Sequence, residues 1–113
     1  MRASCQCLAC QRRSGSPCGV LAYYPRTAMT VQGEAREYVR TGTSGAAFGN
    51  HFCPACGATV WCTTAFKPET IGIPVGAFAD PAYPAPVPSV WEETKHEWVA
   101  IPGAIPHFPR GCS

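Results

Sequence analysis

Three cysteines within six residues, Cys5-Gln6-Cys7-Leu8-Ala9-Cys10, constrain this chain more than any other feature. Thiol groups crowded this closely suit a metal ion, and holding one forces the segment to curl. A closed structural zinc site takes four protein ligands, whereas a reactive one keeps three and leaves the fourth position open. The triplet is one thiolate short of a closed site. A second group, Cys53-Pro54-Ala55-Cys56-Gly57, reads as half of another zinc site.

The spacing within the triplet lets all three sulfurs reach one ion. Cys5 and Cys7 can straddle it across Gln6, and the two-residue gap brings Cys10 back by one turn. The same spacing also allows two of the three to join Cys53 and Cys56 in a single four-cysteine site. In the downstream pair, a tight turn can grip one ion while backbone N–H groups point at the sulfurs. Gly57 supplies the positive φ that such a turn often needs. A redox Cys-x-x-Cys needs a helix starting at its first cysteine, and the glycine-broken, β-rich sequence after Cys56 offers none. A structural zinc half-site is the preferred reading.

Eight cysteines in 113 residues would suit a disulfide scaffold by count alone. The spacings are of ligand type, the start Met1-Arg2-Ala3-Ser4 has no apolar leader, and a Cys-x-Cys pair is poorly placed to bridge itself. Metal binding in a reducing cytoplasm is therefore expected. No apolar run approaches the ~18 residues of a membrane span, so no membrane partner is expected. The net charge is +2, and nine basic residues are scattered from Arg2 to Arg110. Nucleic-acid binders concentrate theirs in a stripe, so no nucleic-acid partner is expected.

Twelve prolines and eleven glycines leave little room for long helices. The expected fold is a single mainly β domain of short antiparallel strands joined by Gly/Pro turns. Leu8 to Arg13 can make one helical turn before Ser14-Gly15-Ser16-Pro17. Strands are expected over Cys18 to Tyr24, Met29 to Val31 and Ala35 to Arg40, the last with Tyr38 inward. Ala46 to Phe52 and Ala58 to Thr63 form a hairpin with Cys53 and Cys56 at its tip. Thr70 to Gly76 is a further strand, Pro74 marking an edge or bulge. Asp80 to Pro88 is an extended surface segment; Val90-Trp91 and Trp98 to Ile101 close the structure, and Pro102 onward is an irregular tail.

Other candidates carry weaker signals. Cys18 and Cys62 lie in apolar strands, where cysteine acts as a small hydrophobe, and Cys112 sits in a frayed end; any of the three can supply a missing ligand. His51, His96 and His107 lack ligand spacing, and His51 reads as a surface residue near the Cys53 turn. Arg12 and Arg13 can offset the charge of three thiolates on zinc and draw in an anionic substrate. Trp61, Trp91 and Trp98 read as core or interface residues.

Taken in order, Cys5-Gln-Cys7-Leu-Ala-Cys10-Gln-Arg-Arg-Ser-Gly15 and Phe52-Cys-Pro-Ala-Cys-Gly57 resemble the glutathione-dependent formaldehyde-activating enzyme family, which includes centromere protein V. Val75-Gly-Ala-Phe-Ala-Asp80, Trp91, Trp98 and Pro106-His-Phe-Pro109 also fit, so the resemblance covers nearly the whole chain. It implies a zinc-containing β-tent with two metal sites. Cys5, Cys7 and Cys10 would hold the functional zinc, whose open position accepts water or the glutathione thiolate. Cys53 and Cys56 would hold a structural zinc with an earlier Cys-x-Cys that is not in this sequence. The expectation is that the native start lies upstream of Met1. Cys18, Cys62, or the Cys53 and Cys56 of a second copy in a homodimer are the other ways to complete that site.

The resemblance implies zinc-dependent carbon–sulfur lyase or glutathione-adduct chemistry, with glutathione or another small thiol as partner and a small aldehyde as substrate. Zinc would carry the reaction by holding a thiolate at neutral pH. The rival is a noncatalytic zinc module, a glutathione carrier or a protein-interaction domain.

Overall fold

The computed structural model describes residues 1–111. Seven strands among them form a sheet, with one α-helix and three short 3-10 turns. The strands are β1 (Arg2–Cys5), β2 (Gly19–Pro25), β3 (Arg36–Thr41), β4 (Ala47–Phe52), β5 (Thr59–Thr64), β6 (Thr70–Pro74) and β7 (Ser89–Val90), in the order β3-β4-β5-β6-β2-β1-β7. The helix, α1, spans Leu8–Ser14. The expected mainly β class is what the chain adopts. The chain divides into two compact units, one of Met1–Leu21 with the segment from Asp80 onward, the other of Ala22–Ala79.

In the first unit β1 lies parallel to β7, with Ser4 beside Ser89 and Cys5 beside Val90. This pairing departs from the antiparallel pattern expected throughout. It arises because the proline-rich segment carries the chain back beside β1, with Val87 N–H donating to Arg2 O and Ser4 N–H to Pro88 O. The described part of the tail, residues 102–111, has no regular element but is pinned, since Phe108 N–H donates to Ser89 O and Ser89 N–H to Pro106 O. Asp80 to Pro88 is not extended throughout: it opens with a turn in which Tyr83 N–H donates to Asp80 O and Ala82 N–H to Asp80 Oδ1, and no turn interrupts it from Pro84 to the bridge at Val87. Trp98 to Ile101 forms no strand, and Trp98 is 74% exposed. A lone apolar stretch without a partner edge has nowhere to place its backbone hydrogen bonds.

The second unit is a meander. β3 and β4 pair from Arg36–Phe52 to Thr41–Ala47, and β4 pairs with β5 in the hairpin expected around Cys53 and Cys56. Met29 to Val31 forms no strand, because Arg26–Ala28 makes a 3-10 turn and residues 29 to 31 are left as coil. Tyr38, expected inward, is 61% exposed, since the β3 face it occupies has no layer over it to supply burial. Pro74 is neither an edge nor a bulge residue. It ends β6, where a missing N–H interrupts no ladder, and a 3-10 turn follows over Val75–Phe78. Ile71 and Ile73 of β6, with Ala22 of β2 and Cys62 of β5, are the unit's buried apolar residues.

Candidate metal centre

The segment from Cys5 to Cys10 turns from strand to helix across Gln6 and Cys7, and the switch is built around Gln6. Its side chain is fully buried, which is costly for an amide unless every polar atom is paired. Nε2 donates to Ser4 Oγ at 2.8 Å, and Oε1 accepts from Ser89 Oγ at 3.1 Å. The Gln6 carbonyl accepts twice, from Gln11 Nε2 and Thr94 Oγ1, both at 2.9 Å. Gln11 Nε2 also reaches Thr94 O at 3.0 Å, tying α1 to the Glu92–Thr94 turn. These bonds hold the backbone between Cys5 and Cys7 from both sides.

Cys7 is then the N-cap of α1. Its backbone is extended (φ −63°, ψ 153°), and its Sγ accepts from the Cys10 N–H at 3.3 Å. A sulfur replaces the oxygen of the usual capping side chain. The helix ends at Gly15, whose φ of 65° and N–H bond to Gln11 O make a left-handed cap. This is the short turn expected from the sequence, one residue longer.

The result is that the Sγ atoms of Cys5, Cys7 and Cys10 all lie within 4.8 Å of one another, with Cys10 buried and the other two half-buried. A tetrahedral ion with sulfurs at about 2.3 Å would separate them by about 3.8 Å. The three donors fit such an ion without rebuilding the segment. Without a cation they are a poor place for charge. Hydrogen bonding with Cys10, then with Cys7, and burial push the Cys5 thiol well above its ordinary range. Cys10 is raised too: the bond with Cys5 lowers it, but bonding with Cys7, burial and the Cys7 charge outweigh that, against a downward pull from Arg13. A divalent cation inverts this logic by favouring all three thiolates at once.

The hairpin tip is a different environment. Cys53 N–H donates to Ala58 O and Gly57 N–H to Cys53 O, and Gly57 takes the positive φ expected of it, 79°. Backbone N–H groups of Cys56 and Ala55 bond the Cys53 sulfur, and with the Cys56 side chain they hold its thiol below the ordinary range. Among the described residues of the second unit, no His, Cys, Asp or Glu joins Cys53 and Cys56 to make a group of three. Cys62 is buried in β5 beside Asn50, its Sγ 3.5 Å from Asn50 Oδ1, and Cys18 precedes β2 half-buried. Cys112 lies outside the described residues. None of the seven described cysteines is in a disulfide.

His51 is not the surface residue expected. Its ring stacks on Trp61 with centroids 3.5 Å apart, and Nε2 pairs with Glu37 at 2.8 Å. Arg12 is exposed and lines an open depression of about 340 Å³ with Gln11, Gly15, Ser16, Pro17 and His96. Arg13 is half-buried. Gln6, Gln11 and Thr94 did not stand out in the sequence, because an amide or hydroxyl shows its importance only once its burial and partners are known.

The family model for the glutathione-dependent formaldehyde-activating enzyme matches residues 1–94, which takes in both cysteine groups. The chain belongs to this family. A search of curated proteins finds no match. Family membership brings glutathione and formaldehyde into view, and the Cys5, Cys7 and Cys10 cluster is able to hold a metal ion. Among the described residues no helix is long and apolar enough to cross a membrane.

Proposed function

We propose that this chain is a zinc-dependent protein of glutathione–formaldehyde chemistry, acting in the cytoplasm as one zinc-binding domain over residues 1–113. The observation that carries the reading is the convergence of three cysteine sulfurs within 4.8 Å in a chain of this family. Cys5, Cys7 and Cys10 would hold the functional zinc, and Cys53 and Cys56 would contribute to a structural one. Bound there, zinc would supply a Lewis acid that lowers the pKa of a thiol.

The chain's own residues account for the rest. The Gln6 bonds fix the triplet before any ligand arrives, so little ordering is left to be done on binding. Arg12, exposed beside the depression next to α1, suits a carboxylate of a tripeptide thiol. In the reaction the thiolate sulfur adds to the aldehyde carbon and one S–C bond forms. The C=O π pair moves to oxygen, which takes up the proton that the thiol gave away, leaving an S-hydroxymethyl thioether. The reverse breaks the same S–C bond, which is carbon–sulfur lyase chemistry.

The test is to follow S-hydroxymethylglutathione by exchange NMR in a mixture of glutathione and formaldehyde. Acceleration by the zinc-loaded chain, lost in Cys7→Ser, supports the proposal. An exchange rate equal to the uncatalysed one would move this chain to the noncatalytic thiol-binding modules.

A further inference from the structure

Arg12 and Arg13 are adjacent in sequence but have different surroundings. Arg12 is open to solvent, whereas the Nε and Nη2 of Arg13 are buried and meet no hydrogen-bond acceptor. A guanidinium stays charged under all ordinary conditions, and buried donors left unpaired are costly. An acceptor therefore belongs near them. Since neither nitrogen is open to solvent, a substrate arriving from outside cannot be that acceptor. It must come from the protein or from what the protein holds.

The position of the guanidinium narrows the choice. A methyl group built on Gly19, the first residue of β2, would lie 2.5 Å from Arg13 Nη2 and 3.3 Å from Cys10 Cβ. Arg13 and Cys10 thus flank the same small space over Gly19, which only a residue without Cβ leaves free.

We propose that Arg13, seated over Gly19, is the internal counter-charge of the Cys5, Cys7 and Cys10 centre and a positioning residue that makes it receptive to an anionic fourth ligand. The inference rests on the metal-centre reading above. Three thiolates on a divalent cation carry a net charge of about −1, which repels a thiolate or any other anion. A fixed guanidinium brings the local balance to about zero, so an anion gains access while a neutral ligand is little affected. Recognition of the substrate's own charged groups is left to Arg12.

The experiment uses the full chain loaded with Co²⁺, whose visible spectrum reports its ligands. Azide and neutral imidazole serve as probes, with glutathione titrated in parallel. Arg13→Met should weaken azide binding about tenfold and leave imidazole within about twofold. Arg13→Lys should recover most of the azide affinity. Gly19→Ala should resemble Arg13→Met, because its Cβ would lie 2.5 Å from Arg13 Nη2 and push the guanidinium out of its seat. Equal weakening of both probes, or none of either, overturns the proposal. Azide binding that depends on Arg13 without any glutathione binding would sustain this inference and sink the substrate reading. Failure of the wild type to take up Co²⁺ would sink both.

Discussion

Ser89 Oγ donates to Gln6 Oε1 at 3.1 Å, and neither side chain retains measurable exposure. One residue comes from β7 and the other from the link between Cys5 and Cys7, so residues 83 positions apart define the cysteine curl together. The strand-to-helix switch is set by a buried amide with all its groups paired, and the sulfurs converge as a consequence.

Gln6→Leu should therefore be damaging although it adds no charge and changes no ligand. Ser4 and Ser89 would each lose their Gln6 partner, at a cost of about 2–4 kcal/mol. Urea denaturation of the metal-free chain would measure this loss, and metal affinity should drop alongside it. A midpoint equal to the wild type's would show that Gln6 is incidental.

Cys62 sits in β5 beside Asn50, fully buried. Cys62→Ala should lower stability by about 1 kcal/mol through lost packing and leave the metal content per chain unchanged. Elemental analysis against protein concentration decides this. A lost equivalent of zinc would make Cys62 a ligand of the Cys53 and Cys56 pair.

The tail of the first unit is held to the Glu92–Thr94 turn by His107 Nδ1, 2.5 Å from Glu92 Oε2. Partial burial opposes ionisation of Glu92, but the hydrogen bond with His107 and the charges of His107 and Lys95 prevail, holding its carboxyl below the ordinary 4.5. A carboxyl depressed on folding stabilises the protein above its unfolded pKa, and that contribution fades as pH falls through the folded value. Glu92→Gln should thus flatten the stability profile below about pH 4.5. Parallel acid limbs in the two proteins would contradict this.

Removal of metal should matter more than any of these single changes. The Cys5 and Cys10 thiols, which resist ionisation on their own, become compatible as thiolates beside Cys7 on a cation. A chelator should lower the midpoint of thermal unfolding by several degrees, about 4–8 °C for each kcal/mol of metal-linked stability in a chain near this size. Restored zinc should reverse it.

The sequence made the local features legible where the physics is local. Gly57 and Gly15 marked their turns, Leu8 to Arg13 its helix, and the run around Cys53 its hairpin. It was misleading where burial depends on a distant partner. Tyr38 alternates like an inward residue but has no covering layer, and Met29 to Val31 has β-branched character but no neighbouring edge to pair with. The cysteine cluster was visible because thiol spacing is itself chemistry. Its support by Gln6, Thr94 and Gly19 was hidden, since it depends on contacts between segments far apart in the chain.

Native mass spectrometry of the zinc-loaded chain with and without glutathione tests the central claim most directly. The account predicts a glutathione adduct that requires zinc, and Cys7→Ser should lose both the adduct and the zinc held by Cys5, Cys7 and Cys10. Full zinc and full adduct in Cys7→Ser would contradict it.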